Sequence, residues 1–233
     1  MRTNGRHIRA FLLTGVWLIV FGGLAACTHE DYETGDGKWS YMRADFVDAY
    51  TNGNALLASA MTDDGDTLVF EKEWKTAWKT DPYSVYRALL YYNKVGNRIE
   101  PLSASMVVVP FIAPVSKVEG GVKTDPVKLE SAWIGKNQRY VNVGISLKTG
   151  QQGNDAKRQL VGIVCDTILV RGDGSRSIHL RLYHDQNGVP EHYSSPLYLS
   201  IPVKQLLHKA EKGDEVMLTI QTYDGNVTKT LAF

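Results

Sequence analysis

The chain has 233 residues, a formal net charge of +1, and a composition that is 43% hydrophobic and 22% charged. That length suits two small domains or one large β domain with a substantial core. Near-neutral charge gives no electrostatic case for nucleic acid, and two cysteines, Cys27 and Cys165, make no disulfide framework.

The first element is an N-terminal leader. Arg2, Arg6 and Arg9 precede an uncharged run of 17 residues from Ala10 to Ala26. Gly22 and Gly23 sit near its end, and the exit reads Leu24-Ala25-Ala26-Cys27. A basic start, an apolar middle and small residues at the cut define a secretory signal. A plain spanning anchor is the rival reading, but the run sits at the low edge of the length a spanning helix needs. The exit string resembles the lipobox of bacterial lipoproteins. That resemblance implies a signal peptide over residues 1–26 and a diacylglyceryl thioether on Cys27, with membrane contact through the lipid anchor. Several acyl chains on one residue hold a protein stably where one does not. Thr28 follows the cysteine, and Glu30, Asp31, Glu33 and Asp36 come soon after. In bacterial lipoproteins these features resemble routing to the outer membrane or cell surface. They equally suit a solvated acidic tether over residues 27–37. Without its first 26 residues the chain carries a charge of −2, since three arginines and no acids are lost.

Beyond the tether the chain reads as β throughout. Residues 39–50 form a first strand region, and Thr62-Asp63-Asp64-Gly65-Asp66 reads as a turn before Thr67-Leu68-Val69-Phe70. Residues 71–79 read as one or two helical turns. Residues 83–92 form a strand ending in a turn over 93–97, with further strands at 98–103 and 105–109. Pro110, Pro114, Gly120, Gly121 and Pro126 then mark a break between domains. The expected division is 38–115 for the first β domain, a linker over 116–126, and 127–233 for the second.

The second half alternates cleanly. Val141, Val143, Ile145 and Leu147 share one face of a strand, and Asn142, Gly144, Ser146 and Lys148 share the other. Residues 178–183, 197–203 and 216–221 repeat the pattern. Period-two alternation with one apolar face means sheets that pack on one side, and two such sheets make an antiparallel, immunoglobulin-like β-sandwich. Asp173-Gly174, Asn187-Gly188 and Asp224-Gly225 are hairpin dipeptides. Residues 203–212 read as a short helix.

No catalytic constellation stands out. There is no Gly-x-Ser-x-Gly elbow, no His-Glu-x-x-His helix and no glycine-rich phosphate loop. The expectation is therefore a non-enzyme with no cofactor. His179 and His184 are five apart on one strand and so face opposite ways, which disfavours zinc. Asp63, Asp64 and Asp66 carry hard oxygens suited to calcium, yet a hairpin turn explains them, so no metal is expected. Cys165 lies in the apolar run Leu160-Val161-Gly162-Ile163-Val164 and reads as a structural thiol. Aromatics are the best binding candidates. Trp39, Trp74, Trp78, Tyr83 and Tyr86 cluster in sequence, and Trp74 and Trp78 are one helical turn apart. Trp74, Trp78 and Tyr83 are the candidate ligand contacts, as a platform for sugars or peptides. The alternative is that the tryptophans plug the open end of a small barrel, because apolar rings are mostly buried.

Three stretches carry a wider likeness. They are Asp81 to Tyr92, with Arg87 in an apolar and tyrosine-rich strand, Trp133-Ile134-Gly135 followed by Tyr140-Val141-Asn142-Val143, and Leu180 to Gly188. In this order they resemble the NigD-like family of bacterial lipoproteins, over most of residues 38–233. Tyr183 departs from the arginine more usual at its position. The resemblance implies an N-terminal OB-like barrel before the sandwich, and no catalytic residues. It also implies a non-enzymatic envelope protein with a binding or accessory role, such as bacteriocin-associated immunity. The partner expected is an unknown protein or glycan, not nucleic acid, and the alternative function is a carbohydrate-binding surface lipoprotein.

Overall fold

The computed structural model describes residues 42–151 and 157–233. The leader, Cys27, the acidic tether and Trp39 lie outside the described residues.

The first five strands are β1 (Met42–Thr51), β2 (Leu57–Thr62), β3 (Thr67–Trp74), β4 (Val85–Val95) and β5 (Arg98–Met106). They form a closed barrel in the order β1-β2-β3-β5-β4, with β4 pairing back onto β1. The closure between β3 and β5 is a parallel contact at Phe70 and Ile99. This is the five-stranded barrel that the OB-like expectation requires. Alternation fills its interior: Val47 and Ala49 of β1 and Ala88 and Leu90 of β4 are buried, with Leu57 and Ile99. Residues 71–79 do not form helical turns, because β3 runs on to Trp74. Phe70 and Trp74 are four apart, which places them on one face in a strand as well as in a helix. Leu68, Phe70 and Trp74 all turn toward the barrel core, and Glu71 and Glu73 turn to solvent. Residues 93–95 extend β4, and the tight turn is confined to Gly96 and Asn97, Gly96 having φ of 58°.

The remaining strands are β6 (Ile112–Pro114), β7 (Lys128–Ile134), β8 (Tyr140–Thr149), β9 (Leu160–Val170), β10 (Arg176–Asp185), β11 (Tyr193–Pro202), β12 (Glu215–Thr222) and β13 (Gly225–Ala232). They build one sheet in the order β13-β12-β10-β9-β6 and another in the order β11-β8-β7. The sandwich is antiparallel within its hairpins, while β10 with β12 and β6 with β9 run parallel. Between the sheets lies a core that includes Val143, Ile145, Ile178, Leu180, Leu199 and Leu218. Each such side chain contributes about 1.5–3 kcal/mol on leaving water. Residues 203–212 hold only a 3-10 turn at Val203–Gln205.

The junction falls earlier than the expected linker at 116–126. The barrel ends at Met106, and Val108 already bridges to Leu199 of β11. Its N–H donates to Tyr198 O at 3.2 Å and its carbonyl accepts from Ser200 N at 2.8 Å. The chain then enters the other sheet as β6. Pro110 and Pro114 therefore mark a crossing between sheets. Thr124 and Val127 also bridge to the sandwich, at His184 and Thr222.

Candidate functional site

The strongest convergence of polar groups lies where the barrel meets the small sheet of the sandwich. Interior positions of β4 are Ala88, Leu90 and Tyr92, so Arg87 points out of the barrel. Asp48 sits directly opposite Arg87 in the β1–β4 register. On the sandwich side, Asn142 of β8 and Ser200 of β11 are likewise register partners. Both occupy the polar phase of their strands, opposite the apolar residues that face the core. The outer face of the barrel thus packs on the outer face of the small sheet.

Arg87 is 6% exposed, while Asn142 and Ser200 are fully buried. Its Nε donates to Ser200 Oγ at 3.0 Å, and its Nη2 donates to Asp63 Oδ2 at 2.6 Å and to Asn142 Oδ1 at 3.1 Å. Its Nη1 lies 3.6 Å from Asp48 Oδ1. Asn142 Nδ2 donates to Asp63 Oδ2 at 2.7 Å, and Ser200 Oγ donates to Asn142 Oδ1 at 2.7 Å. Arg139 Nη1 closes the outer side, 2.7 Å from Asp48 Oδ2. Two guanidinium groups thus balance two carboxylates, as burial demands. The Arg87 guanidinium also lies 4.0 Å from the ring centre of Tyr140. Burial, reinforced by the nearby Asp48 carboxylate, pushes the Tyr140 phenol up to about 12, so it stays neutral.

Aromatic rings seal this network. Phe46 meets Trp133 and Tyr198 edge-on, with centroids 5.3 and 5.2 Å away. The β2–β3 turn docks against the β7–β8 turn: Asn137 N donates to Asp63 O at 2.8 Å, and Lys136 Nζ lies 2.6 Å from Asp64 Oδ2. Gly135 permits that approach, since a Cβ there would sit 2.9 Å from the Asp63 carboxyl carbon. Asp63 and Asp64, read in the sequence as turn residues, are thus both held across the seam.

The other candidates fall apart from this network. Trp74 and Trp78 are half-buried against the barrel core. Tyr83 is 84% exposed, in the left-handed region at φ 52°. Its phenol lies over Gly53 in the β1–β2 loop, where an added Cβ would meet the hydroxyl at 2.6 Å. His184 is buried, its Nδ1 2.9 Å from Asp125 O, while His179 Nε2 is 3.2 Å from Ser177 Oγ. Cys165 is half-buried, and burial pushes its thiol up, which favours the protonated form. Sequence reasoning missed Asn142 and Ser200 as buried groups. The available signal was Arg87, a lone charge inside an apolar strand.

A barrel joined to a two-sheet sandwich through one buried arginine is a two-module β protein. Residues 108–233 match the model of the NigD-like C-terminal beta sandwich domain. That match spans more than half of the chain, which therefore belongs to the NigD-like family. The fold is also similar to three solved structures. A NigD-like immunity protein from Bacteroides caccae ATCC 43185 is 24% identical, with a TM-score of 0.62 over 81% of this chain and 90% of that one. A putative toxin-related protein from Parabacteroides distasonis ATCC 8503 is 18% identical, with a TM-score of 0.60 over 82% and 93%. A protein of unknown function from Bacteroides vulgatus ATCC 8482 is 15% identical, with a TM-score of 0.57 over 82% and 90%. No curated protein matches the chain.

Proposed function

We propose that this chain is a non-enzymatic, lipid-anchored protein of the bacterial envelope that binds another macromolecule in an immunity-type or accessory role. The observation that carries this reading is the Arg87 seam. The densest convergence of charged and amide groups among the described residues is closed upon itself, with its hydrogen bonds directed inward. Such a network fixes the two modules against each other and leaves the outer surface for recognition. The immunity-type role is supported by the likeness to the Bacteroides caccae protein, and the anchor by the lipobox ending at Cys27.

Bacteriocin challenge tests the reading. Cells expressing the chain should survive a bacteriocin that kills cells lacking it, and Cys27→Ala should abolish both fatty-acid labelling and protection. Equal killing of both strains would remove the immunity role. Turnover of a glycan, peptide or ester by purified protein, abolished by a point mutation, would remove the non-enzymatic reading.

A second reading, carbohydrate binding, is favoured by Tyr83. OB-type barrels bind oligosaccharides near the loop joining their first two strands. Tyr83 presents an exposed ring beside that loop. Glycan-array binding that is lost in Tyr83→Ala would support it, and no binding would discard it.

A further inference from the structure

We propose that a cavity on the sandwich, beside the seam, binds an organic anion that joins a carboxylate to a small apolar body. The cavity has a volume of about 380 Å³, within the range of small-molecule sites. It lies between the β7–β8 turn and the segment after β11. Val203 and Leu207, both buried, give it an apolar floor. Arg139, Lys204, His208 and Lys209 line it as well, and among the described residues no aspartate or glutamate does. The chain as a whole has 26 basic and 25 acidic residues. A basic lining without an acid is therefore a local segregation of charge, and it raises the local concentration of anions.

The neighbouring carboxylates cancel only part of this field. Asp48 engages Arg139 from the barrel side and offsets its charge. Asp214 is paired with Arg176. Glu211 follows Lys209 by two residues and is exposed, where solvent screens it. Lys204 and Lys209 supply the remaining charge from exposed positions. With Arg139 committed to Asp48, the charges left to a ligand include the two lysine ammonium groups. An ammonium group is a compact point charge that pairs with a carboxylate as with other anions, and the apolar floor suits the hydrocarbon body of an organic one. The walls are tied in place. Val203 N donates to Arg139 O at 3.0 Å, and Arg176 Nη2 donates to Lys209 O at 2.8 Å. Preformed walls reduce the ordering that binding must impose.

A carboxylate of this kind has two sources, a free organic acid or the acidic side chain of a docked polypeptide. Calorimetric titration of the full-length chain in non-ionic detergent distinguishes them. The probes are benzoate, its neutral counterpart benzamide, and the peptide acetyl-Leu-Glu-Leu-amide. Saturable binding of benzoate or the peptide, without benzamide, is expected. Tighter benzoate points to a free acid, and a tighter peptide to a polypeptide. The Lys204→Glu/Lys209→Glu variant should bind about tenfold more weakly while melting like the parent. Lys204→Met and Lys209→Met, each alone, give the same reading without reversed charge. Failure of both anions to bind, equal binding of benzamide, or unchanged affinity in the lysine variants would overturn the proposal. None of these outcomes depends on the immunity-type role.

Discussion

Replacing Arg87 with alanine is the sharpest test of how the two modules are joined. The change removes the hydrogen bonds to Ser200, Asp63 and Asn142, and the charge opposite Asp48. Asp48 and Asp63 then stay buried with only Arg139 and Asn142 to answer them. Breaking a buried ion pair by removing one partner costs about 3–5 kcal/mol. For a domain of this size each kcal/mol lowers Tm by about 2–4 °C, so thermal unfolding should move down by about 6–20 °C. Arg87→Lys should fall between, because one ammonium cannot serve the same forked set of acceptors. Melting followed by circular dichroism measures both variants. A fall of less than about 1 kcal/mol, the level of an exposed ion pair, would refute the reasoning.

Gly135→Ala should destabilise by about 1–3 kcal/mol, the range for overpacking, because its methyl group would displace the Asp63 carboxyl. Chemical denaturation would show the loss, and a loss smaller than that of a surface alanine would count against the docked turns. Asp214 is held down to about 2, first by hydrogen bonds from Arg176 and then by the backbone N–H groups of Glu211 and Arg176. Because its folded value is depressed, the stabilisation is present above about pH 4 and is lost as pH falls through about 2. Asp214→Asn should therefore flatten the acid limb of the stability curve by about 2 kcal/mol, and an unchanged limb would contradict the assignment.

Much of the fold was legible because β structure writes itself locally. Alternation at residues 141–148 and 216–221 named the core faces correctly, and Gly174, Gly188 and Gly225 all take positive φ at their turns. The helical reading of 71–79 failed because an interval of four suits both periods, and only the barrel decides between them. The seam was harder. Asn142 and Ser200 occupy the phase that ordinarily faces water, and polarity alone does not tell water from a second polar module. Arg87 was the visible anomaly, but its counter-charges come from Asp48 and Asp63, 39 and 24 residues away in the sequence. Pairing across such separations is set by topology, which local pattern does not contain.

The route of residues 107–114 has a practical outcome for anyone dividing this molecule. In passing from barrel to sandwich, the polypeptide lends one short stretch to the edge of the small sheet and the next to the edge of the large one. Severing it there would bare two sheet margins and abandon a charge in each fragment. Grafting the barrel onto another host would meet the same difficulty unless Arg139, Asn142 and Ser200 travelled with it. The smallest transferable piece is accordingly the pair, inherited and engineered together.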